Sequence, residues 1–186
     1  MATDSHAPAD DALMARFCKG DEAAFDLLYE RYARPVHAFL CRMVRDEALA
    51  EDLLQMTFLS VVRARGRYVP GTAVRAWIYA IAANAGRDAL RRRRTRREDF
   101  SETGAPREMA APAGAEADPA AARAVEEALM KLSDDQREAV VLHKMQELSF
   151  EEISTALGIS VGAAKVRAHR GYTRLRELLA PLGEGS

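Results

Sequence analysis

Arginine is concentrated in one short stretch of this 186-residue sequence, between positions 87 and 97. The stretch contains one acid, Asp88, and seven arginines: Arg87, Arg91, Arg92, Arg93, Arg94, Arg96 and Arg97. Guanidinium groups stay charged and bind phosphate oxygens in a bidentate manner. Because like charges at helical spacing repel one another, an anionic partner explains the clustering better than a solubilising helix end does. The stretch therefore predicts binding to nucleic acid, with an acidic protein surface as the alternative.

A helix is needed to align these arginines. The apolar run from Trp77 to Ile81 predicts a helix that begins at about Ala73 and continues into the arginine stretch. On such a helix the side chains at positions 87, 91 and 94 share one face, along which a duplex or a single strand could lie.

The segment before this helix combines basic and aromatic side chains. Tyr68 and Trp77 flank a Pro70-Gly71 turn, which three arginines precede: Arg63, Arg65 and Arg67. A loop of this kind beside a basic helix is suited to capturing unstacked bases. Trp77 itself, inside an apolar run, is predicted to belong to the core rather than to stack on a base.

Two capping boxes predict helix starts in the C-terminal half. Ser133-x-x-Gln136 and Ser149-x-x-Glu152 have the spacing at which the two side chains satisfy each other's backbone amides. Leu148 before the second cap is expected to pack on the residue four positions inside the helix, Ile153, as a hydrophobic staple.

The second of these helices should stop at Gly158, after which Ser160 caps a third helix that runs to about Ala180. Two helices joined by so tight a turn, the second of them basic, predict a helix-turn-helix.

The buried stripe of the third helix is predicted to be Ala164, Ala168, Tyr172, Leu175 and Leu179. The opposite face would carry Lys165, Val166, His169, Arg170 and Arg174. Such a face contacts base edges near the helix start and phosphates further along, and a solvated face on a helical hairpin is the alternative.

The sequence predicts two helical halves joined by a linker. The segment from Phe100 to Ala122 is rich in Ala, Pro, Gly and Glu and lacks an apolar period, which is typical of a flexible linker. Before it, every periodic segment is helical: Glu22–Tyr32, Pro35–Val44 and Glu47–Arg63. The predicted fold class is all-α, with an N-terminal helical bundle and a C-terminal helix-turn-helix. The predicted boundaries are 1–20 for a flexible N-terminus with the start of the first helix, 21–99 for the bundle, 100–122 for the linker and 123–182 for the second domain.

Composition favours a soluble globular protein. Hydrophobic residues make up 48% of the chain and charged residues 30%, and no run approaches the roughly eighteen apolar residues of a membrane span. The start, Met1 to Asp11, lacks the pattern of a signal peptide. We therefore expect a cytoplasmic protein without membrane insertion. The formal net charge of -1 is unusual for a DNA-binding protein, so the positive charge must act locally.

No catalytic, metal or cofactor site is predicted. Cys18 and Cys41 form no CxxC pair and are expected to be packed thiols. No nucleophile-base arrangement or glycine-rich phosphate loop occurs, and the four histidines are scattered, so we expect no enzyme and no cofactor. A self-sufficient dimeric helix-turn-helix regulator is a second possibility, although no heptad repeat provides a dimer seam.

Four segments resemble the extracytoplasmic-function sigma factors of bacterial RNA polymerase, a subgroup of the sigma-70 family. Residues 50–59 (AEDLLQMTFL) are similar to the helix that binds core polymerase. Residues 75–84 (RAWIYAIAAN), followed by the arginine stretch, resemble the helix for the minus-ten promoter element. Residues 132–138 (LSDDQRE) and 151–160 resemble the domain that reads the minus-thirty-five element. The resemblance covers about Ala23 to Leu179, in order.

This resemblance implies three sets of site residues. The core-polymerase set would lie at the surface and grip the coiled coil of the largest-subunit clamp: Glu51, Asp52, Leu54, Gln55 and Phe58. The alternative for these residues is an amphipathic core helix with a solvated acidic edge. The minus-ten set would capture a flipped base and hold the adjacent DNA: Arg65, Arg67, Tyr68, Thr72, Asn84, Arg87, Arg91 and Arg94. The minus-thirty-five set would read the other element: Lys165, Val166, Arg167, His169, Arg170 and Arg174.

The resemblance also implies partners and a mechanism. The partners would be core RNA polymerase, through its clamp and beta flap, promoter DNA, and an anti-sigma factor that clamps the two domains. An alternative, signal-responsive sigma factor would dock on core, position it upstream, and trap unpaired bases as the duplex opens. The family often has a small polar residue where this chain has Val166 and an acid where it has Met56. The first departure leaves the preferred minus-thirty-five sequence open.

Overall fold

The computed structural model describes residues 9–99 and 119–183, and within them the chain is helical with no strand. Within residues 9–99 the chain forms four helices: α1 (Asp10–Cys18), α2 (Glu22–Val44), α3 (Glu47–Ala64) and α4 (Val74–Asp99). A short 3-10 turn at Arg65–Arg67 follows α3. The second half contains α5 (Pro119–Met130), α6 (Asp134–Val140), α7 (Phe150–Leu157) and α8 (Val161–Gly183). The predicted all-α class with two helical domains is confirmed.

Helix α1 lies within residues 1–20, which the sequence assigned to a flexible N-terminus with the start of the first helix, and the structure has a separate helix there, at Asp10–Cys18. Leu13, Met14 and Phe17 are buried in the core of the bundle at steps of one and three residues, which gives this short helix one apolar face. Asp10 accepts hydrogen bonds from Arg31 and Tyr32 of α2. The first residues of the chain, 1–8, lie outside the described residues.

Helix α2 is continuous through Pro35, whereas the sequence predicted two helices with a new start at that proline. A proline inside a helix removes one backbone donor and crowds the preceding turn. The helix nevertheless continues because both of its halves contribute to one core, with Leu28 and Tyr32 before the proline and Val36 and Phe39 after it all buried. Packing of a continuous apolar stripe thus overrides the local preference.

The C-terminal half confirms the predicted helix starts and stops. Both capping boxes are formed, and α7 ends at Gly158, whose φ of 65° is left-handed. The Ser160 hydroxyl accepts from the Ala163 amide at 3.1 Å and so caps α8. Two features were not predicted: α5 begins at Pro119, inside the predicted linker, and α6 continues into a π-helical turn at Val141–Met145. Residues 100–118 of that linker lie outside the described residues.

The two halves contact each other directly. Helix α7 packs against α4, while α5, α6 and the π-helical turn contact α2. No described helix is long and apolar enough to cross a membrane.

The two cysteines differ in environment. Cys41 is buried as predicted, and burial raises the pKa of its thiol to about 11. Cys18 is exposed, so the prediction of a packed thiol there is wrong, and its Sγ donates to the Arg65 carbonyl oxygen at 3.4 Å.

Candidate nucleic-acid interface

Helix α8 is held at a fixed angle by its own small residues. Ala164 and Ala168 are fully buried, and Gly171 lies where α8 crosses α6. A Cβ atom added at Gly171 would stand 2.5 Å from Val140 Cγ2 and 3.3 Å from the Gln136 carbonyl oxygen. Only glycine therefore allows this close approach of the two helices.

The opposite face of α8 is exposed to solvent. Lys165, Val166, His169, Arg170 and Arg174 all lie there, as the predicted register requires. Val166 is 48% exposed, which is unusual for a large apolar side chain on a basic face. The first turns of α8 thus present donors and one apolar group together, which suits contact with base edges and a thymine methyl group.

Two members of the minus-thirty-five set have partners within the protein. Arg167 points toward α6, where its Nη2 lies 3.1 Å from Asp135 Oδ2. Arg174 lies further along α8 and pairs with Glu177 at 2.8 Å. The structure therefore separates Arg167 from the exposed face formed by Lys165, His169 and Arg170.

An aromatic cluster supports the start of α8, and sequence reasoning missed it. His143 of the π-helical turn stacks on Phe150 with ring centroids 4.3 Å apart, and its Nδ1 lies 2.7 Å from the Tyr172 hydroxyl oxygen. Lys165 Nζ lies 5.9 Å from the centroid of the Phe150 ring. The cluster joins the π-helical turn, α7 and α8, so it positions the exposed basic face against the rest of the domain.

The arginine stretch forms the C-terminal part of α4. Asn84, Arg91 and Arg94 are exposed, while Arg87 is partly buried and donates from Nη2 to Asn84 Oδ1 at 2.8 Å. Arg91 pairs with Asp88 at 2.5 Å and keeps 76% of its side chain exposed. Arg87 and Arg94 are also paired with acids of α6, Glu138 and Asp134. The side chain of Arg97 lies outside the described residues.

The loop before α4 is ordered around an aromatic pair. Tyr68 and Trp77 meet edge to face with ring centroids 5.4 Å apart, and the Tyr68 hydroxyl donates to the Thr72 carbonyl oxygen. Both aromatic rings are partly buried against the core, and burial raises the pKa of the Tyr68 hydroxyl. Arg65 and Arg67 of the 3-10 turn are exposed beside this loop.

Helix α3 carries the core-polymerase set on two different faces. Glu51, Asp52 and Gln55 are exposed, and Leu54 is partly buried. Phe58 was expected at the surface and is only 4% exposed, so this prediction is wrong. It packs edge to face against Tyr29 of α2 at 4.7 Å because its position on α3 faces α2.

The exposed face of α3 contains two apolar residues that the predicted set omitted. Met56 is 50% exposed and Leu59 is 55% exposed, and both share the outer face with Asp52 and Gln55. Met56 lies four residues after Asp52 and Leu59 lies four residues after Gln55, and this helical spacing was the signal that could have identified them.

Two buried charges lie on α6. Arg137 is 5% exposed and Glu138 is 1% exposed. Burial raises the pKa of Glu138 to about 7, and the nearby Arg87 only partly opposes that shift. Burial likewise lowers the pKa of Arg137, although its guanidinium pairs with Asp134 at 2.7 Å. Among the described residues no group of His, Cys, Asp and Glu is arranged to hold a metal ion.

A helix-turn-helix with an exposed basic face, joined to a helical bundle with an arginine-rich helix, is the architecture of a DNA-binding transcription factor. The sigma-70 region 2 family model matches residues 28–96, and the sigma-70 region 4 model matches residues 122–175. The chain belongs to the extracytoplasmic-function subgroup of the sigma-70 family, and it is a transcription initiation sigma factor.

Individual relatives agree with this assignment. The chain is 53% identical over 177 residues to the RNA polymerase sigma factor CarQ of Myxococcus xanthus, covering 91% of this chain and 97% of the relative. It is 36% identical over 181 residues to the ECF RNA polymerase sigma factor SigM of Mycobacterium tuberculosis, covering 97% of this chain and 89% of the relative.

Two solved structures have the same fold. CnrH in complex with the cytosolic domain of CnrY matches 94% of this chain and 99% of its own, with a TM-score of 0.72 and 27% identity. The sigma factor RpoE in complex with the anti-sigma factor NepR from Bartonella quintana matches 84% of this chain and 96% of its own, with a TM-score of 0.74 and 25% identity.

Proposed function

We propose that this sigma factor divides its work between three surfaces. The outer face of α3 binds the clamp coiled coil of core polymerase, α4 with its preceding loop binds the minus-ten element, and the start of α8 reads the minus-thirty-five element. The observation that carries the proposal is the exposed face of α8, where Lys165, His169 and Arg170 follow a helix-turn-helix turn fixed by Gly158 and Ser160.

The α3 surface is suited to a protein partner. Exposed polar and exposed apolar side chains lie side by side on it, with Asp52 and Gln55 beside Met56 and Leu59. Apolar groups at the centre of an interface supply affinity, and charges at its rim supply orientation. Phe58 supports this surface from the interior, because its contact with Tyr29 holds α3 against α2.

The proposed mechanism involves binding alone, without enzyme activity and without a cofactor. The factor docks on core polymerase in the cytoplasm, and contacts to the beta flap and the minus-thirty-five element position the complex. Extruding a base costs on the order of a few kcal/mol, so the loop around Tyr68 stabilises bases that open within the complex. The edge-to-face contact with Trp77 holds that ring in place before DNA arrives.

Control by an anti-sigma factor is part of the proposal. The two solved structures that this chain resembles are complexes, one with the cytosolic domain of CnrY and the other with the anti-sigma factor NepR. The similarity covers 94% and 84% of this chain, which supports a protein partner of the same kind.

Reconstitution with core RNA polymerase tests the assignment. The chain is mixed with core, and initiation sites are mapped on fragmented genomic DNA. We expect Asp52→Lys to abolish association with core, and Glu30→Lys, at an exposed acid of α2, to leave it intact. Arg170→Glu should preserve association and abolish minus-thirty-five recognition, while Arg176→Glu near the end of α8 should preserve both. Binding to symmetric DNA sites without association with core would instead support a dimeric helix-turn-helix regulator.

A further inference from the structure

Val166 is an apolar side chain on an otherwise polar surface. It lies near the start of α8, and no other large apolar side chain described in the C-terminal half is as exposed. Valine is β-branched and adopts essentially one χ1 rotamer in a helix, so its two methyl groups project in a fixed direction. Single exposed valines are common on protein surfaces, and the surroundings decide whether such a residue contacts a ligand.

The surface beside Val166 is open enough for a base edge to approach. Gly162 lies one turn earlier on the same face, and the nearest heavy atom to a Cβ added there is Ser160 Oγ, at 3.9 Å. Ala163, the next residue, has a single methyl group as its side chain. Because neither residue has a long side chain, the backbone at the start of α8 can come close to DNA on this face.

Hydrogen-bond donors surround Val166. Lys165 precedes it, and His169 and Arg170 lie one turn after it, all three exposed. Within residues 9–99 and 119–183, neither His169 nor Arg170 has an acid as an ion-pair partner, whereas Arg167 is paired with an acid of α6. Lysine and arginine side chains can donate hydrogen bonds but cannot accept them. The apolar group is therefore flanked by donors that remain available to a ligand.

This combination of groups distinguishes between the bases of DNA. In the major groove thymine presents a C5-methyl group next to the O4 acceptor, whereas cytosine has no methyl group and presents the N4 donor. A cytosine at this place would direct its donor toward the donors of Lys165 and Arg170 and would leave Val166 without an apolar contact. Thymine matches both kinds of group.

We propose that Val166 makes this sigma factor select a thymine at one step of the minus-thirty-five element, through contact with the C5-methyl group. The inference rests on the proposed function of α8. Arg170 follows Val166 by four residues, which is about 6 Å along a helix and corresponds to about two base-pair steps. The selected thymine therefore lies within about two base pairs of the base or phosphate that Arg170 contacts.

Removing the methyl group from the DNA tests the proposal. The chain in complex with core polymerase is bound to a promoter obtained from the reconstitution, in which each thymine of the minus-thirty-five element is replaced in turn by deoxyuridine. Deoxyuridine keeps O4 and the base pairing and lacks only the methyl group. We expect one replacement to weaken wild-type binding roughly three- to fivefold, as the loss of about one buried methyl group requires, and the others to change it less than about 1.5-fold.

A substitution in the protein removes the other side of the same contact. Val166→Ser, at an exposed position, should bind the thymine promoter as weakly as the wild type binds the deoxyuridine promoter, and it should not distinguish the two. Ala180→Ser is the matched control, because it makes an apolar-to-polar change at an exposed position near the end of α8. It should discriminate as the wild type does.

Modified cytosine separates the methyl group from O4. When 5-methylcytosine replaces the sensitive thymine, wild-type binding should be tighter than with cytosine and weaker than with thymine, because the methyl contact is restored and the acceptor is not. Val166→Ser should bind the two cytosine promoters equally.

The results that overturn the proposal differ from those that reject the proposed function. If the chain directs initiation, but no thymine is sensitive to deoxyuridine, or the wild type and Val166→Ser are equally sensitive, the contact with Val166 is absent and the assignment as a promoter-reading helix stands. If the chain neither associates with core nor directs initiation, the proposed function is rejected, and this inference with it.

Discussion

Glu138 of α6 is a carboxylate that lies in the interior of the protein. Its side chain is 1% exposed, one of its oxygens has no hydrogen-bond partner, and its closest cation, on Arg87, lies 3.5 Å away. A buried carboxylate with so few partners is destabilising when it is charged. Burial raises its pKa to about 7, so stability should depend on pH around neutrality.

Replacing this group should remove that dependence. Burial raises the pKa of Glu138 from its usual 4.5 to about 7, so the stability that Glu138 contributes is fully present below about pH 4.5 and is lost as pH rises through 7. We expect Glu138→Gln to exceed the wild type at pH 8.5 by at most roughly 3 kcal/mol in the free energy of unfolding, and to match it within about 1 kcal/mol at pH 5. Urea denaturation at the two pH values measures this. If Glu138→Gln were equally less stable than the wild type at both pH values, the prediction would be contradicted. Glu127→Gln, at an exposed glutamate, is the control.

Gly171 provides a steric prediction. Because an added Cβ would stand 2.5 Å from Val140 Cγ2, Gly171→Ala should force α6 and α8 apart and cost about 1–3 kcal/mol of stability. Gly162 is the matched control, since its nearest heavy atom, Ser160 Oγ, would be 3.9 Å from a new Cβ. Thermal unfolding followed by circular dichroism should give a lower Tm for Gly171→Ala and an unchanged or higher Tm for Gly162→Ala.

At the scale of elements, the two capping boxes differ in geometry. At α7 the Ser149 amide donates to Glu152 Oε2 at 2.8 Å, and the Glu152 amide donates to Ser149 Oγ at 3.1 Å. At α6 the two corresponding distances between Ser133 and Gln136 are both 3.4 Å. The start of the first helix of the helix-turn-helix is thus held more tightly than the start of α6. The carboxylate of Glu152 also pairs with Arg75, which ties this cap to the contact between the two halves.

Removing the two caps should therefore lower the free energy of unfolding by different amounts. We expect Ser149→Ala to lower the free energy of unfolding by about 1–2 kcal/mol and Ser133→Ala by about 0.5 kcal/mol. Urea denaturation of the two variants under identical conditions decides this comparison. Equal losses, or a larger loss for Ser133→Ala, would mean that cap geometry does not control the stability of these helix starts.

Across the whole molecule, positive and negative charges are nearly equal in number, but the positive charges are concentrated on particular faces. The formal net charge is -1, yet α4 and α8 each present a basic face. Two acids of the C-terminal half pair with arginines of the α4 face, Glu138 with Arg87 and Asp134 with Arg94. A free chain of this kind has little electrostatic attraction for a duplex as a whole.

The free chain should therefore bind promoter DNA weakly. At about 0.15 M salt we expect a Kd in the micromolar range or weaker for the chain alone, typical of non-specific contacts, and nanomolar binding for its complex with core polymerase. Fluorescence anisotropy with a labelled promoter fragment measures both. Nanomolar, sequence-specific binding by the free chain would contradict this expectation, and a scrambled fragment of equal length is the control for specificity.

Most of the helix starts and stops could be predicted from the amino-acid sequence, because they depend on local chemistry. Ser149, Gly158 and Ser160 act through their own backbone and their near neighbours, so their roles could be predicted from spacing alone. The exposed register of α8 also followed from helical periodicity. The positions of the arginines along α4 were equally evident, although their assignment to the minus-ten element stays a prediction.

Other features could not be predicted, because they depend on partners that are distant in sequence. Helix α2 continues through Pro35 because buried residues on both sides of it share one core, and Phe58 turns inward because Tyr29 lies opposite it. Likewise, Arg87 and Arg94 meet Glu138 and Asp134 only when the two halves dock. Local periodicity specifies which side chains lie on one face of a helix. It does not specify which other helix covers that face, because that choice depends on the packing of the whole chain.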